Sequence, residues 1–412
     1  MRRIRASFVV LLAVLAGLNY AEEQKTAFEF KPGERVVFIG NTFAERLIKG
    51  GYFESTLTAR LPEHKLIFRN MGWSADTLTI QMRPLNFGDL HTHLHEQKPN
   101  VIIACYGMME SFDGPEGLSK FESDLNSFLK LHQGMDYSGA GNPRLILVSP
   151  IAHEKLEGDF PDPAPHNQNL KLYTESMRKI AAALNLPFVD LYNPTLALMA
   201  DPSAPKLTIN GIHLNEYGNW VVAQMMLEQL GYAATQRIEI DAAQGTVSAA
   251  GMKAGAVQKS PERVTFTLTA DVLPVPPPPS EVRIPAAAAK YESTIVIKGL
   301  SPGAYQLTID GQKTALADAA AWGKGIPVAA GPGSASADQL RQLVDDKNWH
   351  FFMRYRPLNG EYVYGRRKDP FGTKSFPPEW VILDKMIADQ EAKILLATKA
   401  PAQTVELIRA KE

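Results

Sequence analysis

Only one cysteine, Cys105, occurs among the 412 residues. That excludes an intramolecular disulfide, a cysteine-based zinc knuckle and an iron–sulfur site. Excess charge of one sign is missing too. Lys and Arg total 43 against 44 Asp and Glu, a formal net charge of −1, so the overall balance gives no reason to expect nucleic acid or an anionic membrane as partner. Long hydrophobic runs are also lacking: the run Ala6–Leu18 stops at 13 residues, short of the roughly 20 that span a bilayer. What is present is ordinary for a globular chain. Apolar residues make up 45% and charged ones 21%, which excludes disorder as the main theme. At roughly 150 residues per domain the length allows two or three folding units.

The start of the chain predicts export. Arg2, Arg3 and Arg5 precede the apolar run, and Asn19, Tyr20 and Ala21 lead on to the pair Glu22–Glu23. This is the pattern of a secretory signal peptide over residues 1–21, with an uncleaved anchor as the alternative. Asn19 departs from the small residue preferred before a cleavage site. Removing the three arginines leaves 40 basic side chains against 44 acidic ones, so the expected mature protein is mildly acidic, extracytoplasmic and without a membrane span.

From Arg35 to Leu230 short apolar runs alternate with amphipathic segments. The expected strands are Arg35–Ile39, Lys65–Arg69, Val101–Tyr106, Arg144–Ser149 and Pro187–Leu191. The expected helices include Phe43–Arg60, Pro115–Leu131, Asn167–Leu184 and Glu216–Leu230, whose apolar residues recur at helical spacing. Five strands separated by helices predict an α/β unit at 30–232, with a mostly parallel sheet covered on both faces. Ligands of such sheets bind beyond the carboxyl ends of the strands.

After Arg237 the pattern changes to strand-like runs, Val264–Leu268, Ser293–Ile297 and Ala304–Ile309, and a β-rich accessory region is expected at 236–330. Leu300–Tyr305 resembles a turn that delivers a tyrosine into an antiparallel sandwich strand. Pro274 and Pro276–Pro279 form a stiff extended loop, and Ala329–Ala337 a flexible stretch. The remainder, 331–412, is expected to supply a linker, the aromatic-rich segment His350–Tyr364 packing back on the first domain, and a C-terminal helix at Trp380–Ala397.

Several residues at strand ends carry chemistry. Gly40-Asn41-Thr42 closes the first strand and runs into a helix, which holds the Thr42 hydroxyl at the sheet's carboxyl edge. Thr42 with Glu45 three residues on also fits a capping box, a purely structural role. Gly72 follows the second strand, Gly107 and Met109 the third, and Asn210-Gly211-Ile212-His213 precedes the Glu216 helix. His153 follows the fourth strand and is either a functional imidazole or a loop histidine bonded to backbone. Trp73 is either a wall for a sugar ring or a core aromatic. His91-Thr92-His93-Leu94-His95 has metal-ligand spacing, but lacks an acidic cluster beyond Asp89 and Glu96, so a solvated helix-capping role is expected and no metal or other cofactor. Cys105, inside an apolar run, is expected to be a buried core thiol.

The order of these blocks resembles the SGNH (GDSL-like) hydrolase superfamily over about half the chain. It looks especially like secreted GDSL-type proteins of planctomycete-like bacteria, through the strings Gly40–Arg46, Phe87–His91, Glu110–Phe112 and Ser149–Glu154. The resemblance implies a three-layer, flavodoxin-like sandwich with a five-stranded sheet. It also implies an ester hydrolase in which a first-block serine attacks, a last-block histidine is the base, and an acid three residues earlier orients the ring. Carried over, the nucleophile is Thr42, the base His213 and the orienting residue Asn210. Thr42 and Gly72 supply backbone oxyanion donors, and Met109 stands where the family has an asparagine. Trp73, Met109, Glu110 and His153 are the expected substrate-binding residues.

Three of these positions depart from the family, and each departure has a physical cost. The methyl group of Thr42 stiffens its side chain and crowds the line of attack. Asn210 carries no charge to stabilise an imidazolium, and if its NH₂ faces the ring it holds the wrong tautomer; in serine proteases the Asp-to-Asn change lowers kcat about 10⁴-fold. Met109 offers no donor, and losing one oxyanion donor costs about 10²–10³ in rate. Glu110 and a shifted centre built on His153 and Glu154 are the conceivable rescues. The sequence therefore supports either a secreted esterase acting on acylated polysaccharide or a small ester, or a protein of the same fold that binds carbohydrate or a partner protein with little turnover.

Overall fold

The computed structural model describes residues 28–410 apart from 48, 84–86, 234–235, 261, 281, 283 and 357–376. The expected leader at 1–21 and the 357–364 part of the aromatic-rich segment lie outside the described residues. Strands β1 (Arg35–Gly40), β2 (Ile67–Asn70), β3 (Val101–Cys105), β4 (Arg144–Val148) and β5 (Phe188–Val189) form one parallel sheet in the order β2-β1-β3-β4-β5. Residues such as Val36, Val37, Ile39, Val101, Ile102, Ile103, Ile146 and Leu147 are completely buried. Strands covered on both faces carry continuous apolar runs, which is why these were legible in the sequence.

Helices α1 (Thr42–Arg46), α2 (Tyr52–Arg60), α3 (Leu90–Gln97), α4 (Gly114–Gln133), α5 (Ala164–Ala183), α6 (Tyr192–Met199) and α7 (Glu216–Gln229) complete the α/β unit. The single helix expected over Phe43–Arg60 is two helices. Gly50 and Gly51, with φ of 83° and 61°, take the left-handed conformation between them and break the ladder. Nor does the Thr42–Glu45 capping box form. Asn41 is the N-cap, its Oδ1 accepting from the Phe43 N–H at 3.0 Å, and Glu45 turns to other partners.

The rest of the chain forms two further sheets. Their strands are β6 (Arg237–Asp241), β7 (Thr246–Ala249), β8 (Met252–Ala254), β9 (Gln258–Lys259), β10 (Arg263–Ala270), β11 (Ser293–Lys298), β12 (Ala304–Ile309), β13 (Gln312–Asp318), β14 (Ile326–Val328) and β15 (Gln403–Arg409). One sheet has the order β13-β12-β15-β10-β8, with β9 beside β10, and the other the order β14-β11-β6-β7. Alternate residues of both, including Ile238, Phe266, Ile297, Leu307 and Leu407, share one core with Trp322 of helix α8 (Ala319–Lys324). Tyr305 enters β12 with its hydroxyl donating to the Ser301 carbonyl at 3.1 Å. The sequence predicts a separate linker and tail at 331–412, yet β15 of that stretch lies between β12 and β10.

Helix α9 (Ser334–Tyr355) and helix α10 (Pro377–Leu396) pack against each other, and α9 also lies on α2 and β2. Lys347 of α9 is completely buried, with Nζ 2.8 Å from the Glu54 carboxylate of α2 and 3.2 Å from the Phe68 carbonyl of β2. Burial pushes the Lys347 ammonium down and the Glu54 carboxyl up, and each partner opposes the other's shift. Arg69 and Glu391 form a second bridge, at 2.6 Å, between β2 and α10. Removing one member of a buried pair strands the other charge. Lys347→Met is therefore expected to lower stability by about 3–5 kcal/mol, measured by urea unfolding, with much of the loss recovered in the Glu54→Leu, Lys347→Met double variant.

The histidine run lies on α3, where Asp89 is the N-cap. His91 and His132 share the Tyr137 hydroxyl through their Nδ1 atoms, at 3.0 and 2.7 Å, while His93 Nε2 meets the Phe87 carbonyl at 2.7 Å. His91 and His93 thus face different groups, and the His95 ring stands edge-on to Tyr137. Among the described residues no group of His, Cys, Asp or Glu is arranged to hold a metal ion, and no helix is long and apolar enough to cross a membrane. Burial, then the His91 charge, pushes His132 from an ordinary 6.5 down to about 4. Because the unfolded chain protonates this imidazole first, stability falls as pH drops from about 6.5 to about 4 and the contribution is flat below that window. Melting temperatures across that range should show the loss, and His132→Gln should shrink it.

Candidate active site

The first block stands at the carboxyl edge of the parallel sheet. Thr42 opens α1 directly after β1, and its partly buried hydroxyl oxygen accepts from the Ala75 N–H at 3.3 Å. Its hydroxyl hydrogen is left free to donate, and its backbone N–H makes no hydrogen bond among the described residues. His213 reaches the same region, where burial and Arg46 of α1 lower its pKa and Glu45 raises it. No hydrogen bond joins Thr42 to His213 among the described residues.

Asn210 determines the protonation of that imidazole. Its Oδ1 accepts from the His213 N–H at 3.0 Å and from the Ile212 N–H at 3.4 Å, which fixes the amide so that Nδ2 lies 2.9 Å from His213 Nδ1. Nδ1 must then accept, and the ring proton of neutral His213 sits on Nε2. An aspartate here would accept from both the backbone and Nδ1–H; asparagine serves the backbone and reverses the tautomer. As arranged, His213 offers a donor at Nε2 where a general base needs a lone pair.

The second and third blocks are equally informative. Gly72 packs so closely on α1 that a Cβ would come within 2.3 Å of the Glu45 nitrogen. Its N–H, the expected oxyanion donor, is already bonded to Asn70 Oδ1 at 2.9 Å. Trp73 stands edge-on to Phe87 and Tyr355, and the guanidinium carbons of Arg83 and Arg356 lie 4.2 and 3.8 Å from its ring centre. The indole is engaged with these protein cations, so it is poorly placed as a sugar wall. Met109 is exposed. Glu110 is tied down: its carboxylate accepts from the Gly107 and Leu78 N–H groups at 2.9 and 3.0 Å and so joins the loops after β2 and β3. Burial raises its pKa against those donors.

His153 and Glu154 do not form a pair. Both Glu154 oxygens accept from the Leu207 N–H, and one also from the Thr208 N–H and hydroxyl, at 2.5–3.1 Å, which anchors the loop that carries Asn210 and His213. His153 instead faces His166, Nδ1 to Nδ1 at 3.1 Å. Cys105 is buried and its thiol pKa raised by that burial, as an inert core residue should be.

Four supporting residues escaped the sequence reading: Asn70, His166, Glu154 in its anchoring role, and Arg356. From the end of α9, Arg356 donates to the Glu45 carboxylate at 2.9 Å and the Gly72 carbonyl at 2.5 Å. Glu154 and Arg356 act across large sequence separations, so no local spacing announces them.

The α/β unit, a parallel five-stranded sheet with its helices, shares its fold with solved structures. No protein-family model and no curated protein matches the chain significantly. Among solved structures, a gut microbial diltiazem-metabolizing enzyme, BT4096, is 19% identical and superposes with a TM-score of 0.69. The match covers 93% of this chain and 99% of that one, so the shared fold includes the β-rich region. The acetylxylan esterase Axe2 from Geobacillus stearothermophilus is 19% identical over 50% of this chain and 98% of its own, with a TM-score of 0.39. LAE5, an alpha/beta hydrolase enzyme from the metagenome of Lake Arreo, Spain, is 20% identical over 50% of this chain and 99% of its own, at 0.38.

The tautomer is directly testable. In ¹⁵N-labelled protein at neutral pH, His213 is expected to carry its proton on Nε2, and Asn210→Asp to move it to Nδ1. A parent chain already protonated at Nδ1 would overturn the assignment.

Proposed function

We propose that the protein is an exported ester hydrolase that removes small acyl groups at the carboxyl edge of the parallel sheet, with acylated carbohydrate as its main substrate class. The reading is supported by Thr42 opening α1 directly after β1 and by the electrostatic action of Glu45 and Arg46 of that helix on the His213 imidazole. Export rests on the arginine-flanked apolar leader. The carbohydrate substrate rests on the resemblance of the sequence blocks, as does the likeness to the planctomycete-like group. With the His213 proton on Nε2, the Thr42 hydroxyl has no base at hand. Thr42 then serves through its free N–H and O–H, together with His213 Nε2–H, as a donor to the developing oxyanion. A neutral imidazole acting as electrophile is chemically sound when its pKa is lowered, as burial and Arg46 do here.

A second reading, a binding protein without turnover, is favoured by one finding: the Gly72 N–H is occupied by Asn70. One assay separates the two. The purified chain is expected to hydrolyse 4-nitrophenyl acetate and acetylated xylooligosaccharide above the buffer rate, and His213→Ala to lower kcat/KM at least about 10²-fold. Equal rates for parent and variant would remove the hydrolase reading, and xylooligosaccharide binding lost in His213→Ala would then support the second.

A further inference from the structure

A hydrolase whose last-block histidine donates at Nε2 still needs a base, and a second imidazole at the same edge has the complementary tautomer. The chain of hydrogen bonds that fixes it begins at Ser111, after β3. The Ser111 hydroxyl donates its one hydrogen to the Met108 carbonyl at 2.7 Å, so toward His166 Nε2, 2.8 Å away, it can only accept. His166 therefore carries its proton on Nε2. Burial, then the neighbouring His153, pushes its pKa down to about 4, so at neutral pH its Nδ1 is a lone pair. His153 Nδ1, at 3.1 Å, must donate to it. That leaves His153 with an unprotonated Nε2, which has no hydrogen-bond partner among the described residues.

Three elements hold His153 in this state. Its backbone is bracketed by Asn167 of α5, whose Oδ1 accepts from the His153 N–H at 2.9 Å and whose Nδ2 donates to the His153 carbonyl at 2.8 Å. The His166 ring is itself clamped by Phe112, stacked with centroids 3.9 Å apart. His153 Nε2 lies against Gly211, where a Cβ would approach within 2.6 Å and φ is +94°. Only glycine lets the Asn210–His213 loop pass so close to this nitrogen.

We propose that His153 is the general base of the reaction and that it activates water rather than Thr42. The inference rests on the ester-hydrolase reading above. Gly40, Cys105 and Val148 are level across β1, β3 and β4, so the loops bearing Thr42 and His153 rise two strand spacings apart, about 10 Å. Direct proton transfer needs about 3 Å. A chain running from base to water, carbonyl carbon, carbonyl oxygen and donor spans about 10 Å. Water passes one proton to His153 Nε2 as its oxygen bonds to the ester carbon and the carbonyl electron pair moves to oxygen. Donors at Thr42 and His213 Nε2–H stabilise that oxyanion. As it collapses the carbon–alkoxide bond breaks, and the proton returns from His153 Nε2 to the departing alkoxide. One water and one ester give one acid and one alcohol, and both histidines end neutral. His166 is a positioning residue: it touches no reactant and acts by holding the His153 proton on Nδ1.

The test uses the full chain and 4-nitrophenyl acetate. His153→Gln, which keeps an amide donor toward His166, is expected to lower kcat about 10²-fold or more with KM changed less than threefold. His166→Gln is expected to lower kcat about tenfold and to change the shape of the pH–rate profile, which a purely structural role would leave alone. Melting temperatures identify a variant that has failed to fold. A second reading needs no variant: acid-quenched parent enzyme in pre-steady-state turnover is expected to show no acyl adduct by intact mass. An acyl group on Thr42, or an unaltered rate in folded His153→Gln, overturns the water mechanism while leaving the hydrolase reading standing. Absence of hydrolysis by the parent removes the hydrolase reading and this proposal with it.

Discussion

The buried pair between Lys347 and Glu54 constrains how α9 meets the α/β unit. It is one of the contacts that seat α9 on α2 and β2, where an ammonium is tolerable only beside a carboxylate and a carbonyl. With it, α9 runs alongside the parallel sheet and ends with Arg356 on Glu45, Gly72 and Trp73. Asp345 of the same helix accepts from the Gly50 N–H, and Arg341 donates to the Gly50 carbonyl, so the turn between α1 and α2 is also held from α9. The chain then returns through α10 to β15 inside the β-rich region. Sheet, site and accessory region are thus mechanically joined by a segment that looks, in one dimension, like a tail.

The chemistry at the sheet edge is governed by where protons sit. One oxygen exchanged for an NH₂ at position 210 keeps the loop geometry, since Oδ1 still receives the His213 N–H, and reverses the imidazole. The Ser111–His166–His153 chain sets the opposite tautomer on His153 in the loop after β4. Opposed environments for two titratable groups are the usual means of assigning acid and base roles. Departure from a familiar motif at three positions therefore need not leave an edge without complementary groups.

Much of this architecture was legible in the residues. Strands buried on both faces carry unbroken apolar runs, as in Val101–Cys105, and need no partner information to be recognised. Parallel strands present their carboxyl ends together, so the order of Thr42, Gly72, Met109 and His213 along the chain points to that edge as the place to look for chemistry. β15 was missed although Val405 and Leu407 alternate with polar residues, since the pattern is short and its partners lie about 100–140 residues earlier. For Trp73, open between a sugar wall and a core aromatic, an aromatic after a glycine gives no sign that Arg83 and Arg356 will lie over its ring.

The sequence by itself determined which chemical groups stand at the strand ends: a hydroxyl, two imidazoles, an amide in place of a carboxylate, and a thioether in place of a donor. Tertiary structure alone decided how those groups are paired. Whether an amide turns its oxygen or its nitrogen to a ring depends on which backbone N–H lies opposite, and whether a histidine accepts or donates depends on the next group in its hydrogen-bond chain. Those are properties of contacts between distant segments, and no local pattern of residues encodes them.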